Sequence, residues 1–237
     1  MSAGRITPGS LRGGLMLLAV DTSTAQVGLA LYDGAQVRAE LLWYSRQHHT
    51  VELAPGLVEL LTRTGTRIDE VKALGVALGP GSFTALRVGL SFVKGLVLAR
   101  HIPLIGIPTL DVLAAAQPVR DLPLAAVLQA GRDRLALGWY RSSEAGWQAE
   151  GPVKITTIDD LADSIQAPTL VCGELNTEER QRLARKRANV ILASPAQSVR
   201  RPAVLAELAW KRWQNGDVDN PASLAPIYLH SGTPVPA

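Results

Sequence analysis

The sequence predicts an α/β protein of two lobes, each a mixed β-sheet with flanking helices, the second lobe a degenerate repeat of the first. Three observations carry this. Residues 73–108, ALGVALGPGSFTALRVGLSFVKGLVLARHIPLIGIP, give an apolar run, a glycine–proline turn, a long helical pattern and a second apolar run, the order of a right-handed parallel crossover. Ahead of it, three apolar runs joined by tight turns make two hairpins before any helix. Beyond Pro118–Pro123, a strand–strand–strand–helix–strand–helix order partly repeats the first half. The expected division is a loose N-terminal extension (1–14), an N-terminal lobe (15–117) and a C-terminal lobe (118–237).

In the first lobe the runs are Leu15–Val20, Val27–Tyr32 and Val37–Tyr44, the last two joined by the Asp33-Gly34 turn. Such an opening suits the actin-like ATPase and sugar-kinase (ASKHA) architecture, in which three antiparallel strands begin the sheet and two parallel strands complete it. There the first hairpin carries an aspartate and hydroxyls facing the phosphates of ATP, a position held here by Asp21, Thr22 and Ser23. With Gly79, Gly81 and Ser82 they make a phosphate-like loop. The competing reading is a set of tight turns: the glycines permit a sharp bend, Pro80 fixes a dihedral and Ser82 stands at a helix N-cap. A nucleotide P-loop needs Lys-Ser/Thr after its last glycine, and Ser82-Phe83-Thr84 follows instead.

Two helices dominate this lobe. One runs to about Arg63, with Leu53, Leu57 and Leu60 in one row and Ala54, Val58 and Leu61 in the next; Pro55 either kinks it or marks its start. Residues 83–99 form the other. It is apolar around most of its circumference, and only Thr84, Arg87, Ser91 and Lys94 make a polar stripe. Either it is central to a large domain or its second face meets a partner. Adjacent His48 and His49 diverge on a helix, while His101 and His230 are isolated, so capping or surface roles fit better than a zinc site.

The second lobe predicts strands at Leu124–Leu128, Leu135–Tyr140 and Trp147–Ile155, a helix capped by Thr157, a strand at Thr169–Cys172, a helix over Asn176–Arg187, a strand at Val190–Ala193 and a last helix over Ala203–Gln214. Asp159, Asp160 and Asp163 suit a helix start better than a metal site. Arg180, Arg182, Arg185, Lys186 and Arg187 suit a solvated helix better than an RNA patch, since no aromatic residue interleaves them.

Composition bounds the rest. The chain has 237 residues, is 47% hydrophobic and 19% charged, and carries a net charge of +3. That excludes a disordered class. One cysteine, Cys172, excludes an internal disulfide framework and in its apolar setting suits a core residue. Arg5 and Arg12 precede an apolar stretch too short for a signal peptide and ending at Asp21, and the chain lacks a run of about 20 apolar residues. No membrane contact and a cytoplasmic location are expected, with Met16 an alternative start.

Asp21-Thr22-Ser23-Thr24, Arg46-Gln47-His48-His49-Thr50, Gly79-Pro80-Gly81-Ser82-Phe83-Thr84-Ala85-Leu86-Arg87-Val88-Gly89 and Ile105-Gly106-Ile107-Pro108-Thr109-Leu110 together resemble the bacterial TsaB (YeaZ-like) family. The match is dense over 16–116 and returns at Ala225-Pro226-Ile227-Tyr228-Leu229. Ala85 replaces a usual glycine, and Gln129-Ala130-Gly131-Arg132 stands where the family has an Asp-Ala-Arg-like turn. The resemblance implies a non-catalytic relative of the TsaD transferase, acting in formation of threonylcarbamoyladenosine beside the anticodon of tRNAs that read codons beginning with A. It implies pairing with a TsaD-like subunit through N-terminal-lobe helices, a TsaE-like ATPase as further partner, and tRNA met only through the complex; the same apolar helices, which gain by being covered, also allow a homodimer when the chain is alone. The partner-binding residues would be Leu53, Leu57, Leu60, Leu61, Phe83, Leu86, Arg87, Leu90 and Lys94. No catalytic residue, metal or bound cofactor is expected of the isolated chain, with ATP or ADP confined to the partner complex. The residues agree: the second lobe lacks a glycine-rich adenosine loop near Val171-Cys172-Gly173-Glu174, and no Gly-x-Ser-x-Gly elbow occurs. The alternatives are a self-sufficient ATPase or phosphotransferase using Asp21 and the Gly79–Ser82 loop, and a metal-dependent glycoprotease-like peptidase.

Overall fold

A computed structural model describes residues 15–45, 48–131, 133–186 and 188–229. The expected extension at 1–14, together with Arg46, Gln47, Arg132, Arg187 and His230, lies outside them. The first half gives β1 (Met16–Asp21), β2 (Gln26–Tyr32), β3 (Val37–Tyr44), α1 (His49–Thr64), β4 (Val71–Ala77), α2 (Phe83–Arg100), β5 (Leu104–Ile107) and α3 (Thr109–Ala115). The second gives β6 (Leu124–Gln129), β7 (Leu135–Ser143), β8 (Gly146–Ala149), β9 (Lys154–Thr156), α4 (Ile158–Ser164), β10 (Thr169–Gly173), α5 (Thr177–Ala184), β11 (Val190–Leu192) and α6 (Pro202–Gln214).

The first sheet runs β3-β2-β1-β4-β5 and the second β11-β10-β6-β7-β8. In each, two antiparallel pairings open the sheet and two parallel pairings complete it, as the actin-like architecture requires. The strand expected over Trp147–Ile155 is two short ones, β8 and β9, both on β7. Gly151 at φ 75° and the rigid Pro152 break the extended run between them.

Strand β1 is buried on both faces, which sets the layering. Leu18 and Val20 meet Leu53, Leu57 and Leu60 of α1 and Leu90, Val93 and Val97 of α2. Leu17 and Ala19 meet Leu205, Ala206 and Ala209 of α6. Helix α3 lies behind α6, with Leu110 and Leu113 on the second sheet, and α4 and α5 cover that sheet's far side through Leu161 and Leu183. The last helix therefore belongs with the first sheet, which corrects its placement in a 118–237 lobe. An Ala/Leu-rich face fits the small-residue side of β1 and β4 closely, and strand order alone does not reveal that the chain crosses back.

After α6 the chain runs on as a strap. Asp219 N–H donates to the Leu104 carbonyl at 2.8 Å, and Ile227 N–H to that of Leu78 at 2.7 Å. Leu224 and Ile227 pack on the first core. This strap accounts for much of the excess apolar surface of α2, which carries sheet and α1 contacts on one side and the strap on another.

Several local expectations hold. Pro55 lies within α1, His48 stands at its N-cap, and His101 closes α2 in the left-handed region at φ 53°. Arg182 pairs with Asp159, and Lys186 Nζ reaches Asp163 at 3.0 Å, so the basic helix is partly neutralised by α4. Cys172 is fully buried, and burial pushes its thiol up to about 12. The expected result with an aromatic disulfide reagent at pH 8 is negligible labelling of the folded protein and one equivalent after denaturation; rapid native labelling would contradict this packing.

Candidate functional site between the lobes

The two predicted halves of the phosphate-like loop do come together. Ser82 N–H donates to the Ser23 carbonyl at 2.7 Å. A Cβ at Gly81 would collide with that carbonyl, and one at Gly89 with the Thr22 hydroxyl, so both glycines answer to close approach of chain to chain. The hydroxyls are already engaged. Thr22 Oγ1 donates to the Ala85 carbonyl at 2.7 Å, Ser23 Oγ bonds Thr109 Oγ1 at 2.7 Å, and Gly79 N–H donates to Thr109 Oγ1 at 2.9 Å. Ser82 caps α2 by accepting from Ala85 N–H. Asp21, Thr22, Ser23, Gly79, Gly81 and Ser82 thus form a joint between β1, α2 and α3.

Arg200, which the sequence reading missed, decides what Asp21 can do. Its side chain is 1% exposed. Its Nε donates to Asp21 Oδ2 at 2.9 Å, one terminal nitrogen to Glu174 Oε1, and the other to Thr24 Oγ1 at 2.9 Å and the Gln26 carbonyl at 2.8 Å. Burial alone would lower the Arg200 pKa, but Asp21 and Glu174 outweigh it and hold the guanidinium charged. The other Asp21 oxygen accepts Ser23 N–H at 2.8 Å. Both Asp21 oxygens are taken, and a metal–triphosphate would have to displace a buried cation with four side-chain or backbone partners. The residues do not fit that group. Nothing local in sequence marks Arg200, whose partner Asp21 lies 179 positions away.

Beside this cluster, a cavity of about 1260 Å³ opens between the lobes, walled by Thr24, Tyr44, Phe83 and Tyr228 on one side and Arg134, Glu174 and Arg180 on the other. Among the described residues no three His, Cys, Asp or Glu side chains gather to hold a metal ion. His49 Nε2 lies 3.1 Å from the Thr24 carbonyl, a packing role.

A family model described as "TsaD: tRNA N6-adenosine threonylcarbamoyltransferase" matches residues 44–186, more than half of the chain. The "tRNA threonylcarbamoyladenosine biosynthesis protein TsaB" of Bacillus subtilis (strain 168) is 27% identical over 219 residues, 91% of this chain and 94% of that one. The chain belongs to the family that this TsaD model describes, and over nearly its whole length it is similar to a TsaB protein. The TsaB protein of Escherichia coli (strain K12) is 36% identical over 100 residues, 42% of this chain and 43% of its own. "YeaZ from Pseudomonas aeruginosa" superposes with a TM-score of 0.76 over 91% of this chain and 100% of that one at 24% identity, which shows a shared fold.

The expected partner face needs correction. Leu53, Leu57, Leu60, Leu86 and Leu90 are buried within the monomer and cannot reach a partner while the lobe is folded. Leu61 is half-buried beside them. Arg87 and Lys94 hold the chain's own strap: Arg87 Nε donates to Tyr228 Oη at 2.9 Å, and Lys94 Nζ to the Leu224 carbonyl at 2.7 Å. Phe83 is exposed, with the Arg87 guanidinium 3.7 Å above its ring and Tyr228 at 4.9 Å. The outward apolar surface is the next row of α1, Val51 and Val58, and Leu98 of α2, the last two 62% and 67% exposed. A separate groove between the helices is lined by Thr50, Arg87, Val88 and Ser91.

Proposed function

We propose that this chain is a non-catalytic, activating subunit in formation of threonylcarbamoyladenosine on tRNAs that read codons beginning with A. The observation that carries the non-catalytic part is Arg200: it occupies the side of Asp21 where an actin-like ATPase needs room for a metal-bound phosphate. The names of the relatives support the pathway. In this reading a TsaD-like transferase docks on the outward face of α1 and α2, a TsaE-like ATPase joins the pair, and ATP or ADP enters with those partners. tRNA is met through the complex. The same apolar face joins two copies of this chain when the transferase is missing, because exposed valines and leucine at helical spacing gain by being covered. A cytoplasmic site of action goes with tRNA as substrate.

The purified chain with ATP and magnesium is expected to release phosphate no faster than buffer, and to co-purify with a TsaD-like transferase. ATP turnover by the chain alone, lost in Asp21→Asn, would establish the self-sufficient ATPase instead.

A further inference from the structure

The interlobe cavity has a chemistry that neither the Arg200 cluster nor the α1–α2 face uses. Its acidic wall residue, Glu174, is already paired, with Oε1 accepting from Arg200 and from Thr24 Oγ1 at 2.7 Å. Two arginines remain. Arg134 closes the β6–β7 hairpin, Ala130 N–H donating to its carbonyl at 2.7 Å, and its buried Nε has no hydrogen-bond partner among the described residues. Arg180 uses one terminal nitrogen on the Ala193 carbonyl at 2.6 Å. A cavity bounded by two arginines and one carboxylate already paired with Arg200 favours an anion, and an arginine with an unpartnered nitrogen suits a phosphate oxygen.

The opposite wall adds a second requirement. The chain has only two phenylalanines and four tyrosines, yet Tyr44, Phe83 and Tyr228 all line this cavity. Tyr44, 75% exposed at the end of β3, is an open aromatic surface. Aromatic faces opposite arginines select a flat ring joined to an anionic group. At about 1260 Å³ the cavity exceeds the needs of a bare phosphate ion. With both Asp21 oxygens taken, the ligand must also bind without a metal at that carboxylate.

We propose that the interlobe cavity binds a nucleoside monophosphate unit without a metal ion, its base against Tyr44 and its phosphate at Arg134. The unit is either a free nucleotide or an unpaired nucleotide of an RNA strand, since the open cleft admits both. The site extends the proposed function without depending on it, because tRNA modification and binding here are separate readouts.

The test titrates the full chain, in EDTA and in parallel with magnesium, with AMP, with inorganic phosphate and with an anticodon stem-loop RNA, by calorimetry or fluorescence anisotropy. Saturable binding of AMP or of the RNA is expected, weakened roughly tenfold or more by Arg134→Gln and by Tyr44→Ala, with the melting temperature of each variant checking its fold. AMP binding identifies the free nucleotide; RNA binding without AMP binding identifies the strand. The proposal is overturned if neither probe saturates at millimolar concentration, if both variants bind as the parent does, if phosphate alone equals AMP, or if binding appears only with magnesium.

Discussion

Arg200→Met is expected to destabilise the protein by about 3–5 kcal/mol, the usual cost of removing one partner from a buried ion pair. The loss arises because Asp21 would stay buried and Glu174 half-buried without their cation, and Thr24 Oγ1 and the Gln26 carbonyl would each lose a donor. Arg200→Lys keeps the charge but cannot fork to four acceptors, so a smaller cost of about 1–3 kcal/mol is expected. Adding Asp21→Asn and Glu174→Gln to Arg200→Met should recover much of the loss, because the uncompensated charges go with their partner. Denaturant midpoints of the four proteins measure this. A shift below about 0.5 kcal/mol in Arg200→Met would mean that the cluster does not join the lobes energetically.

Val58→Glu should leave the fold intact and sharply weaken partner binding. Val58 projects outward from α1, so its replacement should change stability by no more than about 0.5 kcal/mol. A carboxylate desolvated at the centre of an apolar interface costs about 2 kcal/mol or more, roughly a thirtyfold loss of affinity. Leu57→Glu, one position away, should instead unfold the lobe, because Leu57 is buried in the core behind β1. The pair separates the outward face from the inward one. If Val58→Glu binds the transferase as the parent does, the partner docks elsewhere.

The strands were legible because apolar runs bounded by Gly, Pro and Asp leave few alternatives, and the hairpin-first order was enough to identify the architecture. The orientation of α1 was not. Leu53, Leu57 and Leu60 share their spacing with Ala54, Val58 and Leu61, and periodicity does not say which row meets the sheet. The roles of Arg87 and Lys94 were hidden for a related reason: cations on an apolar helix suggest a partner, and the partner proved to be a strap more than a hundred residues further along the chain. The residue types of the Asp21 loop pointed to two segments that do meet, yet what Asp21 can do was decided by Arg200, a contact that only the crossing of α6 back to the first sheet creates.

The most direct measurement of the central claim is threonylcarbamoyladenosine formed on tRNA by the TsaD-like transferase, the TsaE-like ATPase and the carbamoyl donor, with and without this chain. Product is expected to depend on the chain, to be missing when the chain acts alone, and to fall with Val58→Glu at limiting chain concentration. Equal product without the chain would contradict the account.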